Sequence, residues 1–249
     1  MTRFARLTAL VIPGLLFSSN AWAAPVVGTP TVVDAAKTAT GSSVIQLVVM
    51  MALASLAPAI ILTCTTFARF AIVFSFLKSG LGTQGAPPSQ IMAGLAMFMT
   101  FFVMSPVANR IHSEVAKPYF AGLIDEEKAL EAATPILQGF LLPRTRQDDL
   151  ALFYQFTDLA RPTQASEVPL RIAIPAFVVS ELRTAFQMGL VILLPFLVID
   201  LAVAIVLSSL GMVMLPPVFV SLPIKILVFV TADGWHLLVS SLLKGAMSS

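Results

Sequence analysis

Apolar positions along the chain fall into long unbroken runs, and one pair of runs sets the frame for the rest. From Ala185 to Leu210 the single ionisable residue is Asp200. A helix over that stretch reaches roughly 39 Å, which exceeds the ~30 Å hydrocarbon core of a bilayer. The turn Gly211-Met212-Val213-Met214-Leu215-Pro216-Pro217 follows, and a second apolar arm runs from Val218 to Leu243 with Lys225, Asp233 and His236 inside it. The pattern predicts a membrane hairpin with a methionine-bearing tip, hinged at Gly211, Pro216 and Pro217. Ionisable residues in a membrane segment are costly and by default face a protein interior or a water-filled path, so the hairpin is expected to be part of an assembly.

The first half of the chain predicts another hairpin over 44–107. Its first arm is apolar from Val44 to Leu62 and continues past Pro58 and Thr63-Cys64-Thr65-Thr66 to Leu77. That is too long for one straight span. Pro58 removes a backbone donor and predicts a kink, while the hydroxyls of Thr63, Thr65 and Thr66 are able to occupy nearby carbonyls. Arg69 has two readings, a side chain snorkelling to the interface or one held by an interior acid of another subunit. Lys78 to Gln90 predicts a glycine- and proline-rich loop. Ile91 to Val107 then predicts a helix ended by Pro106, with Met92, Met97, Met99 and Met104 as packing residues.

Polar character takes over in 108–170. Between Arg110 and Glu167 stand six basic and nine acidic residues, net −3, which predicts a water-exposed insert with short amphipathic helices over 125–140 and 145–159. Val168 to Arg183, with Pro169, Pro175 and the charges of Arg171, Glu181 and Arg183, predicts a broken lead-in to the second hairpin of 171–249. A further kink is expected at Pro195.

Composition turns these patterns into a class. With 57% hydrophobic and 11% charged residues and a mean hydropathy of +0.92, against about 45–50% and 25% in ordinary soluble domains, the chain reads as an all-α integral membrane protein of helical hairpins, long enough for four spans. Residues 1–23 carry Arg3 and Arg6, an apolar run from Leu7 to Phe17, and Ala21-Trp22-Ala23 before Ala24. This predicts a secretory signal peptide cleaved between Ala23 and Ala24; an uncleaved anchor is the other reading. Cleavage takes the formal charge from +2 to zero and leaves a flexible lead-in, 24–43, outside the cytoplasm. The insert's few Lys and Arg agree with that side. A bacterial inner-membrane protein with periplasmic insert and N-terminus is expected.

Enzyme chemistry finds no footing. His112 and His236 lie in different regions without metal-ligand spacing, Cys64 is alone, and neither a nucleophile elbow nor a P-loop is present. Scattered basic residues give no nucleic-acid footprint. The remaining chemistry is a set of charges in apolar surroundings: Glu181, Arg183, Asp200, Lys225 and Asp233. They neutralise one another between helices or subunits, or they form a proton path, and Glu181 with Lys225 is the expected pair. The Met212-Val213-Met214 tip is either packing at a tight turn or a flexible seal, since methionine side chains close a hole yet yield around objects of varied shape.

Several stretches in order, Leu81-Gly82-Thr83-Gln84 with Pro87-Pro88, Phe101 to Pro106, Pro175 to Leu182, Pro195 to Asp200 and Gly211 to Pro217, resemble the FliP family of flagellar biosynthetic proteins over roughly Val44 to Leu243. That family includes the equivalent export-gate subunit of virulence type III secretion systems. The resemblance implies that several copies assemble with FliQ, FliR and other export-apparatus membrane proteins in the flagellar basal body, forming a channel for unfolded flagellar subunits. It further implies a methionine gasket at the tip, here interrupted by Val213, charges at Glu181 and Lys225 that bridge helices or subunits, and no cofactor. An ion- or proton-conducting subunit using Asp200, Glu181 and Lys225, and a structural scaffold, are the alternatives.

Overall fold

The computed structural model describes residues 58–83, 85–159, 162, 164, 167–212 and 214–247, together with 47, 48, 51, 52 and 55. The expected signal peptide 1–23, its cleavage site at Ala23 and Ala24, and the lead-in 24–43 lie outside the described residues. The chain divides into Met1–Ser55 and Leu56–Ser249. In the first unit, 47, 48, 51, 52 and 55 are helical and exposed. The second unit carries the fold, and its described residues contain helices and no strand.

Residues 58–63 are helical, Pro58 included, and the interruption falls at 64–66. Thr63 Oγ1 donates to Ala59 O at 2.8 Å and Thr65 Oγ1 to Ile61 O. These bonds draw on the same carbonyls as the helix ladder. Helix α1, Phe67–Leu81, then buries Phe70, Val73, Phe74, Leu77 and Leu81, a stripe spaced at three and four residues. It ends at Gly82, whose φ of 69° suits glycine and whose N–H reaches Lys78 O and Ser79 O.

Helix α2, Ser89–Arg110, buries Met92, Ala96, Met99 and Val103 on one face and exposes Phe98, Phe101 and Phe102 on the other. Pro106 does not end it. The helix passes into a π-helical stretch, Ile111–Ala116, and a short α3, Lys117–Phe120. Proline cannot donate to the carbonyl four residues back, and here that acceptor, Phe102 O, is taken by Ser105 Oγ at 2.9 Å.

The polar region folds as two short helices, α4, Glu126–Leu141, and α5, Gln147–Tyr154, joined through a 3-10 turn at Leu142–Arg144. Asp125 caps α4 by accepting from the Lys128 N–H at 3.0 Å. Helix α6, Leu170–Ser209, has 40 residues and is about 60 Å long. The stretch expected to be broken is therefore continuous, through both Pro175 and Pro195. Around Pro175, Ala173, Ala176 and Phe177 are fully buried, so packing offsets the one ladder bond that proline removes.

Helix α7, Val218–Thr231, and α8, Gly234–Met247, meet at 63°. The second arm, expected as one run to Leu243, is thus broken in two. Asp233 sits in the left-handed region with φ 50°. The Gly234 backbone lies so close to Phe229 that a Cβ would stand 2.3 Å from the ring.

The core gathers α1, α2, α4, α6 and the end of α8 around Phe70, Phe74, Phe177, Leu141 and Leu242, while a second cluster of Leu142, Leu150, Tyr154 and Ile172 seats α5 on the start of α6. Among the described residues two helices, Ser89–Phe120 and Leu170–Ser209, are long and apolar enough to cross a membrane, or three if the bent α7–α8 pair counts as one span. Four were expected from length, and part of the first expected arm, 44–62, lies outside the described residues.

Candidate functional site

Helix α6 carries two charge nodes. At the first, Glu181 receives both Nε and Nη2 of Arg69, the former at 2.8 Å, while Arg69 Nη1 donates to Gly245 O at 2.9 Å. The side chains of Arg69 and Glu181 are only 4% and 2% exposed. Planar guanidinium and carboxylate thus meet fork to fork, the strongest form such a pair takes. Arg69 is held inside its own chain.

At the second node, Lys225 of α7 donates to Asp200 Oδ2 at 2.6 Å and to Gly80 O, at the end of α1, at 2.8 Å. Ser221, one turn earlier on α7, donates to Asp200 Oδ1 at 2.7 Å. Lys225 and Ser221 are buried, whereas the Asp200 side chain is 36% exposed. Lys225 thereby joins the tip-bearing hairpin to the last turn of α1. Gly80 allows the approach, since a Cβ there would stand 2.6 Å from the Phe196 ring.

Glu181 and Lys225, expected as partners, do not pair: each has a different one. The reason is register. Lys225 stands eight residues past Pro217, about 12 Å along the arm, whereas Glu181 stands thirty residues before Gly211, about 45 Å away. Asp200, eleven residues before Gly211, is the acid that matches. Counting outward from the turn would have found it. Arg183 and Asp233, expected among the buried charges, are both exposed: Arg183 lies on another face of α6 from Glu181, and Asp233 forms the α7–α8 break.

Three participants had no sequence signal. Ser221 reads as a helix serine, and Arg144 as one charge of a polar insert. Asp149 is buried and accepts from Ser180 Oγ at 2.5 Å, and Ser180 Oγ in turn accepts from the Arg146 N–H at 3.0 Å. Burial draws the Arg144 guanidinium below its ordinary value; the Glu181 carboxylate opposes that shift and Arg69 adds to it.

The tip closes α6 with a Schellman motif: Gly211, φ 75°, donates to Ser208 O at 3.1 Å and Met212 N–H reaches Leu207 O at 2.9 Å. Met212 is 46% and Met214 98% exposed; Val213 lies outside the described residues. Pro216 and Pro217 lead into α7, where a missing N–H at the first turn costs nothing. Along the same hairpin Leu190, Val191, Leu194, Leu197, Val198 and Leu201 are exposed. Pro195 is exposed within the continuous α6 and precedes the buried Phe196.

Long apolar helices, an exposed apolar hairpin and ion pairs buried between helices define an all-α protein of the membrane class. The comparison with known proteins narrows that class. Residues 50–242 match the FliP family. The chain is 45% identical over 203 residues to the flagellar biosynthetic protein FliP of Bacillus subtilis (strain 168), covering 82% of this chain and 92% of the relative. It is 45% identical over 204 residues to that of Pectobacterium carotovorum, covering 82% and 79%, and 39% identical over 250 residues to that of Rhizobium meliloti (strain 1021), covering 98% and 99%. The chain belongs to the FliP family.

Proposed function

We propose that this chain is a pore-forming subunit of the flagellar protein export gate. Several copies assemble with FliQ and FliR in the bacterial inner membrane, at the flagellar basal body, and pass unfolded flagellar proteins outward. The insert and the mature N-terminus face the periplasm, and the chain works as a conduit without cofactor or catalysis.

Family membership supports the flagellar role. The observation that carries the pore reading is the tip: Met212 and Met214 project from the turn between two apolar arms, Met214 almost wholly exposed. A soluble turn gains nothing from bare methionines, whereas several copies around an axis bring flexible, water-excluding side chains together. The bare apolar faces of α6 and α7 then supply the surfaces on which copies and partner subunits pack, by close fit more than by the hydrophobic effect, which is weak between helices in lipid. Glu181 and Lys225 hold the frame inside each copy.

The test is small-solute leakage across the inner membrane of cells producing the full assembly, wild type against a deletion of Met212 to Met214. Leakage from the deletion with assembly intact is expected. A tight deletion with assembly intact sinks the seal, and loss of export in Asp200→Asn with a silent tip would favour a proton path instead.

A further inference from the structure

The end of α8 sits in a polar cluster that the gate reading does not use. Arg144 Nε and Nη2 both donate to Ala246 O, at 3.1 and 2.9 Å, and Arg69 Nη1 donates to Gly245 O at 2.9 Å. The remaining Arg144 nitrogen, Nη1, donates to Phe140 O at 2.9 Å, and the guanidinium lies 4.2 Å from the centroid of the Phe140 ring. Every nitrogen of Arg144 is thus engaged, and its plane is fixed from below by an aromatic face.

The acceptors suit this arrangement. Carbonyls toward the C-terminal end of a helix carry about half a negative charge between them, which favours guanidinium donors. Ala246 is fully buried, so water is a poor substitute. Arg69, Arg144 and Glu181 together leave one positive charge, placed against that negative end. The two arginines come from parts of the chain far apart in sequence: Arg144 is 102 residues from Ala246 and Arg69 is 176 from Gly245.

The opposite end of α8 is the 63° bend, where Asp233 holds φ 50°. Aspartate tolerates the left-handed region better than most residues, and the bend is packed locally by Gly234 against the Phe229 ring and by Trp235 edge-on to Phe229 at 5.4 Å. The side-chain hydrogen bonds that reach α8 from other helices gather at its far end.

We propose that Arg144 is a latch: by capping the end of α8 from the insert it holds the Ala232–Asp233 hinge closed, and so positions α7, the arm that carries Lys225 and leads to the tip. The insert is thereby tied to the gate hairpin through α8. Arg144 acts as a positioning residue, and the ligand it recognises is a helix C-terminus. Lysine is a poorer latch, because one ammonium cannot hold Ala246 O and Phe140 O in a single plane.

Two readouts on the assembled complex in membranes test this, both in a Cys64→Ser background. With Ala246→Cys as the single thiol, maleimide labelling is slow in the otherwise native chain. Arg144→Ala is expected to raise the rate about tenfold or more, as loss of a charged hydrogen bond allows local opening. Arg144→Lys is expected to raise it a few-fold, and Arg146→Ala, a control that removes only the exposed bond to Gln187, leaves it unchanged. An unchanged rate in Arg144→Ala, or an equal rise in the Arg146 control, overturns the latch. With spin labels at Leu227→Cys and Leu237→Cys, both exposed, the α7–α8 distance distribution broadens in Arg144→Ala; a distribution identical to the native one overturns the hinge. Should Arg144→Ala not accumulate, Arg144→Lys carries both measurements, and native behaviour in that variant overturns the proposal.

Discussion

Arg69 and Glu181, 112 residues apart in the chain, meet as a buried bidentate ion pair between α1 and α6. Removing one partner leaves the other charge buried without compensation, which typically costs about 3–5 kcal/mol. Arg69→Ala and Glu181→Ala are each expected to lower stability by that amount, seen as a lower denaturation midpoint of the detergent-solubilised complex. Arg69→Met with Glu181→Leu is expected to lose less than either single change, because no charge is stranded. A double variant as damaged as the sum of the singles would refute that account.

Gly189 of α6 lies under the Phe76 ring, where a Cβ would stand 2.3 Å from the nearest ring carbon. Gly189→Ala is expected to destabilise by about 1–3 kcal/mol through overpacking. Phe76→Leu in the same chain should restore most of it. Thermal unfolding of the single and double variants reads the rescue directly.

Around Asp200 the two donors differ in what else they hold. Ser221→Ala removes one hydrogen bond, worth about 1 kcal/mol. Lys225→Met removes the bond to Asp200 and also releases Gly80 O, so it should cost more. The partial exposure of Asp200 tempers that cost, since water takes up part of the carboxylate. Comparing assembled complex yield and motility in the two variants checks the ranking.

Gly211 holds φ 75° at the end of α6. Gly211→Ala places a Cβ in a region that costs about 1–2 kcal/mol for L-residues, and β-branched Gly211→Val should cost more. Because the strain falls at the base of the tip, solute leakage is expected to rise in the order wild type, alanine, valine. A flat series would separate the tip's orientation from its sealing.

Ser105 accepts the task that Pro106 leaves open by donating to Phe102 O. Ser105→Ala is expected to cost about 1 kcal/mol and to loosen α2 around Pro106, read as faster amide exchange at 107–110. Unaltered exchange there would mean that neighbouring contacts alone carry the helix through the proline.

By itself the sequence determined the all-helical class and the principal hairpin. Apolar runs longer than a bilayer leave the backbone no option except internal hydrogen bonding, and Gly211 with Pro216 and Pro217 breaks the run where α6 ends at Ser209 and α7 begins at Val218. The use of the Thr63 and Thr65 hydroxyls on nearby carbonyls was equally local and equally legible, whereas the buried Thr66 hydroxyl, expected to do the same, has no such partner. Tertiary structure decided the rest. Pro106 and Pro175 read as breaks, yet α2 and α6 run through them, because a serine hydroxyl and a packed core compensate from outside the local pattern. Which acid each cation takes depends on the face and height of a side chain in three dimensions. Nineteen residues of helix put Glu181 and Asp200 about 28 Å apart along α6 and about 100° apart around it. One therefore faces α1 and the end of α8, the other faces α7, and Arg144 finds its acceptor only when the folded chain brings α8 back to the insert.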